Sequence, residues 1–259
     1  MGSLAVGEAT IQNPEFRQIL GVKFFVGRAQ RAIDLLAQGG LLVVPAAPAL
    51  KNLSIDSAYR EALLQADLAI ADSSLMVMLW NLIQKDNVRR LSGLEYLAEL
   101  LTRSDVREPT GTFWIMASEA SAATNLAWLR QHGIEALPED VYLAPMYRDK
   151  IEDAPLLHTI RERCPRHIIV TLGGGTQEKL GFYLKQNLQP VPAIHCIGAA
   201  IAFLSGDQVH IPMWADRFYL GWLFRCLSEP RRYVPRYWSA RALISLMLRY
   251  RHQLPVAQR

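Results

Sequence analysis

Arg166-His-Ile-Ile-Val-Thr-Leu172 is an apolar run that leads directly into Gly173-Gly-Gly175 and then into a helical pattern over Thr176–Asn187. An apolar run, a glycine turn and a periodic helix in this order form the strand-to-helix unit of an α/β protein. Similar runs and helical patterns recur at Gly40–Pro45, Asp56–Gln65, Ala66–Asp72, Gly111–Ala117, Ala120–His132 and Ala193–Gly198. We therefore expect an α/β fold with a Rossmann-like, mostly parallel sheet and helices on both faces.

A carboxylate closes one of these runs, at the sheet edge where α/β proteins bind ligands. Asp72 ends the run that starts at Ala66. A partly desolvated carboxylate at this edge suits a general base that acts on a sugar hydroxyl. The alternative is that Asp72 only caps the helix that starts near Leu75.

The glycines of the loop, Gly173, Gly174 and Gly175, suit a phosphate group. Glycines let the backbone approach a ligand closely, and the next helix offers free N–H groups and a positive dipole end. The loop lacks the Gly-Lys-Ser/Thr ending of a P-loop and the spaced glycines of a dinucleotide site. The alternative is a tight turn with Thr176 as the helix cap. Gly198, which closes the last run, is a further candidate.

The C-terminal part of the chain differs in charge from the rest. Between Arg217 and Arg251 there are eight arginines, no lysine, eight aromatic residues and one acid, Glu229, a formal charge of +7. The remaining 20 basic and 23 acidic residues are nearly balanced. Arginine binds phosphate bidentately, and Trp and Tyr suit a membrane interface. The tail therefore indicates a phosphorylated, lipid-borne partner, with Ala240–Tyr250 as either an amphipathic anchor or an ordinary packed helix.

Length and composition limit the class of protein. A chain of 259 residues, 51% of them hydrophobic, can bury a full core, and its natural boundary follows Gly206. No apolar run reaches the roughly 18–20 residues of a membrane span. Residues 1–14 are expected to be flexible and carry no secretory pattern. Three scattered cysteines and six scattered histidines indicate neither a disulfide framework nor a metal site, so we expect a cytoplasmic, metal-free protein.

The order of the motifs resembles the WecG/TagA/CpsF family of bacterial glycosyltransferases. The matching blocks are Ala66–Asp72, Arg90–Glu95, Thr171–Lys179, Gly198–Gly206, Leu220–Arg225 and Ser228–Arg232. The most specific pieces are Gln177-Glu-Lys179 and Glu229-Pro-Arg-Arg232, and the resemblance extends from about Ile19 to Tyr237. Blocks of this specificity in the right order make a chance match improbable.

The resemblance implies an inverting, metal-independent and cofactor-free transfer of a sugar from a UDP-sugar to a polyprenyl-diphosphate-linked sugar. The reaction would take place at the inner face of the cytoplasmic membrane and supply surface polysaccharides. Residues 1–206 would form the catalytic domain, and residues 207–259 a helical appendage that docks on the membrane and binds diphosphate.

The resemblance also assigns roles to residues. Asp72 matches the general base, and Arg90 and Gln177 match residues that line the donor site. The glycines predicted above from the residues themselves, Gly173, Gly174, Gly175 and Gly198, are expected to bind the donor with them. The acceptor diphosphate would be bound by Arg225, Arg231, Arg232 and Arg236.

Departures from the family pattern bear on the donor sugar. Pro45-Ala-Ala-Pro48 stands where Thr-x-Asn-Pro is usual, and Ile201-Ala-Phe203 replaces Phe-Asp-Phe, which removes a carboxylate. These losses suggest a plain hexose such as glucose. The alternatives are an N-acetylmannosaminyl-type transferase of the same family and a non-catalytic relative that binds a UDP-sugar and lipid.

The basic, partly apolar tail allows two other kinds of partner. A nucleic-acid binder could use the basic tail, but it would leave Asp72 and the glycine loop without a role, so no nucleic-acid partner is expected. A homo-oligomer that buries the apolar part of the tail stays open.

Overall fold

The computed structural model describes residues 15–148, 150–208, 211–212, 214–215 and 218–257, so the expected flexible segment 1–14 lies outside the described residues. Within these ranges one sheet contains β1 (Phe16–Ile19), β2 (Val22–Phe25), β3 (Gly40–Val43), β4 (Leu68–Ile70), β5 (Thr112–Met116), β6 (Val141–Leu143), β7 (His167–Val170) and β8 (Ala193–Cys196). The strand order is β1-β2-β4-β3-β8-β7-β5-β6, and only the β1–β2 pair is antiparallel. The predicted mostly parallel sheet is confirmed.

Helices cover both faces of this sheet. In chain order they are α1 (Ala29–Leu35), α2 (Ala47–Leu50), α3 (Ser57–Leu64), α4 (Ser74–Gln84), α5 (Gly93–Leu100), α6 (Ser104–Arg107), α7 (Glu119–Gln131), α8 (Ala154–Arg163), α9 (Thr176–Asn187), α10 (Ala200–Ser205), α11 (Gly221–Ser228), α12 (Pro230–Ala240) and α13 (Ala242–Tyr250). Short 3-10 helices lie at Lys51–Ser54 and Pro138–Asp140. One core packs α3, α4, α8, α9 and α13 on the sheet, and the other packs α1, α5, α6, α7 and α10.

The unit of β7, the glycine loop and α9 forms as the sequence predicts. Every residue of β7 is buried, as expected for a parallel strand with helices on both faces. α9 has the predicted bounds and turns Leu180 and Leu184 into the core. The position of this unit in the sheet places the glycine loop at the carboxyl edge.

The β1–β2 hairpin is absent from the sequence prediction. Its turn uses Leu20 at φ 51° and Gly21 at φ 77°, the positive pair that a tight hairpin requires. The end of the chain packs on this turn, because the Leu20 and Gly21 N–H groups donate to the carbonyls of Arg251 and His252. The hairpin therefore links the first described residues to the last.

The C-terminal helices pack on the sheet domain. In α13, Leu243 and Met247 are buried, whereas Ile244 and Leu248 are exposed. Ala240–Tyr250 therefore contains a helix packed on the sheet domain, the second alternative given above. Ile244 and Leu248 leave an apolar strip on its outer side. None of the helices in the described ranges has both the length and the apolar character needed to cross a bilayer.

Gly181 allows α9 to lie close to the sheet. A Cβ at this position would lie 2.5 Å from Cys196 Sγ and 2.6 Å from Leu41 Cδ1, and both neighbours are fully buried. We expect Gly181→Val to lower the free energy of unfolding by about 1–3 kcal/mol, because a packed core cannot expand freely. Urea denaturation measures this change. Gly174→Ala, whose Cβ would meet only Ala49 Cβ at 3.6 Å, should unfold like the parent. An unchanged midpoint for Gly181→Val would contradict the close packing.

Candidate active site

A cavity of about 250 Å³ lies at the carboxyl edge of the sheet, between the ends of β4 and β5. The C-terminal helices α11 and α12 contribute to its wall. Among the predicted site residues, the cavity is lined by Asp72, Arg90, Gly173, Gly174, Gln177, Gly198, Arg225, Arg232 and Arg236. Gly175 and Arg231 are not part of this lining. Residues far apart in sequence, from the sheet domain and from the tail, therefore meet in one place.

The Asp72 carboxylate is held through one of its oxygens. Oδ1 accepts hydrogen bonds from Arg90 Nη2 and from the Gly93 N–H, each at 3.2 Å. Arg90 Nε also donates to the Asp72 carbonyl at 2.6 Å. Oδ2 accepts no hydrogen bond from any residue that the structure describes. A carboxylate fixed in this way keeps one oxygen available for a proton from a substrate.

The alternative role of Asp72, as the cap of α4, is wrong. Ser73 occupies that position, and its Oγ accepts the Met76 N–H at 3.2 Å. Asp72 instead accepts from Gly93, the first residue of α5. Free N–H groups and the helix dipole favour a negative charge at this end of a helix. The side chain of Asp72 is therefore tied to the start of α5 and not to α4.

The glycine loop brings two unpaired N–H groups to the cavity. Gly173 and Gly174 line it, and neither N–H donates to another residue in the described part of the chain. The Gly175 N–H is already used, because it donates to Glu178 Oε2 at 2.6 Å. Gly175, at φ 95°, also holds the cap position of α9, so the alternative with Thr176 as cap is wrong. Two of the three glycines can thus donate to an anion.

Gln177 joins the loops that follow β7 and β8. Its Oε1 accepts the Gly198 N–H at 2.6 Å, and its Nε2 donates to Glu178 Oε1 at 3.3 Å. Both Gln177 and Glu178 are buried. Gln177 therefore sets the spacing of the two loops, and its contact with a donor stays a prediction. Glu178 is a supporting residue that sequence reasoning missed, although the Gln-Glu pair was visible.

The Glu178 carboxyl makes the free energy of unfolding depend on pH. Burial raises the pKa of its carboxyl from an ordinary 4.5 to about 7, although the Gly175 N–H opposes this shift. The folded protein then keeps a proton that the unfolded chain loses. This stabilisation is complete below the pKa of Glu178 in the unfolded chain. It is lost as the pH rises through the pKa of Glu178 in the folded protein.

We expect the free energy of unfolding to fall by about 3 kcal/mol through this group between about pH 4.5 and about pH 8. Glu178→Gln should remove that part of the fall. Urea unfolding of both proteins across this range measures the difference. A difference between parent and variant that stays constant with pH would contradict the shifted pKa.

Arg225 is the most enclosed of the predicted diphosphate-binding arginines. Its guanidinium lies 4.4 Å from the centre of the Phe203 ring, and Nη1 donates to the Tyr237 hydroxyl at 3.1 Å. Its buried Nε finds no partner among the residues described. A buried, unpaired N–H that belongs to a cation is well suited to an anionic ligand.

Arg232 and Arg236 share one side of α12, since they are one helical turn apart. Arg232 makes an exposed ion pair with Glu229 at 3.3 Å. Arg236 is exposed and has no ion-pair partner in the described ranges. Arg231 is rotated from Arg232 by about 100° around the helix, which explains its absence from the cavity wall.

Exposed apolar side chains lie on the C-terminal helices at Trp222 of α11 and at Val234 and Trp238 of α12. These side chains are 48%, 49% and 65% exposed. The two on α12 share one side of the helix, which we call the exposed aromatic face. The Arg241 guanidinium stacks 4.2 Å from the centre of the Trp238 ring. On α12, Arg231 lies on the same side as Val234 and Trp238 because of their helical spacing. Aromatic rings bordered by arginine are typical of a membrane interface.

Sequence reasoning missed a polar wall on the other side of the cavity. Its members are Ser121, Asn125, Asp207 and Gln208. Ser205 Oγ donates to Asn125 Oδ1 at 2.6 Å, and the Tyr233 hydroxyl donates to Gln208 Oε1 at 3.2 Å. No motif marks these residues, because they come from α7 and from the loop after α10.

Comparisons with known proteins show the family of this chain. The model of the family described as "Glycosyl transferase WecG/TagA/CpsF family" matches residues 17–256. A similar protein is the N-acetylglucosaminyldiphosphoundecaprenol N-acetyl-beta-D-mannosaminyltransferase of Bacillus spizizenii. The two sequences are 28% identical over 211 residues, which is 78% of each chain. The family match spans the sheet, the cavity and the C-terminal helices.

Proposed function

Because the chain belongs to the WecG/TagA/CpsF family of glycosyltransferases, we propose that it transfers a sugar from a UDP-sugar to a polyprenyl-diphosphate-linked sugar. The observation that carries this proposal is the composition of the cavity. A carboxylate with one available oxygen, two unpaired loop N–H groups and three tail arginines line the same space. A diphosphate donor and a diphosphate acceptor both need such cationic and N–H groups.

The proposed reaction is a single displacement. Asp72 Oδ2 takes the proton of the acceptor hydroxyl as its oxygen bonds to the anomeric carbon. The bond from that carbon to the UDP oxygen breaks on the opposite face, so the configuration inverts. The electron pair leaves with UDP, and the Gly173 and Gly174 N–H groups stabilise the charge that develops on its diphosphate.

The tail is proposed to bind the lipid-linked acceptor. Arg225, Arg232 and Arg236 reach the cavity and would bind the acceptor diphosphate there. Arg231 is on the side of the exposed aromatic face, so it would bind lipid headgroups instead. Each basic residue near an anionic surface contributes about 1 kcal/mol to membrane binding. The protein would therefore act at a membrane surface, where polyprenyl diphosphates reside.

The donor is proposed to be an N-acetylmannosamine-type sugar. The name of the Bacillus relative specifies this sugar, and that similarity outweighs the glucose hypothesis based on lost polar groups. A plain hexose stays the second candidate for one reason. Ala46, from the stretch that replaces Thr-x-Asn-Pro, lines the cavity after β3, the neighbour of β4, and offers no polar group to an N-acetyl substituent.

Release of UDP from two donors tests the proposal. UDP-N-acetylmannosamine and UDP-glucose are each incubated with the protein, with and without a short-chain polyprenyl-diphosphate-linked sugar in detergent. We expect release that requires the acceptor and is faster with the N-acetylated donor. Faster release from UDP-glucose would favour the second candidate. UDP binding without release from either donor would favour a non-catalytic relative.

A further inference from the structure

The polar wall is at the end of the cavity opposite Asp72. Asp72 follows β4, whereas Ser121 belongs to the first turns of α7, which follows β5. Three strands, β3, β8 and β7, separate β4 from β5 in the sheet. Neighbouring strands are about 4.8 Å apart, so the axes of β4 and β5 are roughly 19 Å apart. The glycine loop after β7 lies between these two ends.

Asp207 is the charged member of the polar wall, and its neighbours hold it in place. Ser121 Oγ donates a hydrogen bond to Asp207 Oδ2. The Asp207 N–H donates to Ser205 Oγ at 3.3 Å, and Ser205 in turn donates to Asn125, which is almost fully buried. Asp207 Oδ1 accepts no hydrogen bond from the described part of the chain. Asp207 thus resembles Asp72 in being fixed through one oxygen only.

The charge of Asp207 restricts what this end of the cavity can bind. A carboxylate repels phosphate, so the phosphates belong near the N–H groups of Gly173 and Gly174 and near the arginines. In a nucleotide sugar the diphosphate separates the sugar from the nucleoside. With the sugar next to Asp72 and the diphosphate at the glycine loop, the nucleoside must lie toward Asp207.

We propose that Asp207 binds the ribose hydroxyls of the donor nucleotide through Oδ1, an inference that rests on the proposed UDP-sugar donor. Adjacent hydroxyls donate to a carboxylate, which is the usual way that an acidic residue recognises ribose. Asp207 would then supply a negative group that the cavity lacks at Ala202. Ser121 is a positioning residue, because its hydroxyl orients the carboxylate.

Equilibrium binding of UDP and of 2′,3′-dideoxy-UDP tests this role. The parent should bind the dideoxy analogue about 10- to 100-fold more weakly than UDP, since hydrogen bonds to a charged group are lost. Asp207→Asn should bind UDP more weakly and distinguish much less between the two ligands. Ser121→Ala, which leaves the carboxylate in place, should show a smaller loss of discrimination.

Glu119→Gln is the matched control, because Glu119 is an exposed acid in the same helix as Ser121 and does not line the cavity. It should discriminate like the parent. Equal discrimination by Asp207→Asn and the parent would overturn the ribose assignment. An equal loss for both ligands would overturn it as well, because Asp207 would then contact another part of UDP. A parent that binds no UDP would overturn the donor proposal itself.

Discussion

Asp72→Asn should lower the rate of sugar transfer by about 10²- to 10⁴-fold, the contribution of a general base. The variant keeps an oxygen that can accept from Arg90 and from the Gly93 N–H, so the local structure should persist. It cannot take a proton from the acceptor hydroxyl. UDP affinity, measured by calorimetry, should therefore stay close to that of the parent while kcat falls.

Glu95→Gln is the control for this experiment. Glu95 pairs with Arg89 at 2.7 Å in the same region, but it does not line the cavity. The control should transfer sugar at the parental rate. Parental activity in Asp72→Asn would assign the proton transfer to another group. Loss of UDP binding in that variant would show that Asp72 acts on the donor rather than on the acceptor.

Joint replacement of Arg232 and Arg236 by alanine should lower kcat/KM for the lipid-linked acceptor by about 10²- to 10³-fold. This is the loss expected when two arginine contacts to the acceptor diphosphate are removed, at about 1.5–2 kcal/mol each. Both guanidinium groups extend from the same side of α12 and line the cavity. The measurement is the rate of acceptor-dependent UDP release in detergent, at several acceptor concentrations.

The matched control replaces Arg241 and Arg249 by alanine. These exposed arginines belong to the same C-terminal region but lie outside the cavity lining. The control removes two positive charges and should keep nearly full activity with a detergent-soluble acceptor. Equal losses in both double variants would mean that the total charge of the tail matters, and not the position of Arg232 and Arg236.

The sheet could be predicted where the chain repeats one local pattern. Buried parallel strands read as apolar runs, and α9 has a clear helical period, so its bounds agree with the prediction. The β1–β2 hairpin was missed because its turn uses Leu20 in a left-handed conformation, which residue type does not reveal. The N–H groups of this turn donate to carbonyls near the C-terminus, a contact between distant residues that no local pattern predicts.

The candidate site could be predicted only in part. Asp72 and the glycine loop each follow a strand, and the carboxyl ends of parallel strands lie at the same edge of the sheet. The arginines were predicted from the charge of the tail and from the family resemblance, and neither separates Arg231 from Arg232. Only their different directions around α12 do so. Asp207 and Ser121 have no motif, and they become neighbours through the packing of α7 on α10. The boundary after Gly206 and the oligomeric state stay predictions.

Mass spectrometry of the acceptor tests the central claim most directly. A polyprenyl-diphosphate-linked sugar is incubated with the protein and a UDP-sugar, and the acceptor mass and released UDP are measured together. We expect the acceptor to gain one sugar residue for each UDP released, and Asp72→Asn to give neither product. UDP release without a heavier acceptor, or an unchanged acceptor with every donor that binds, would contradict a lipid-linked glycosyltransferase.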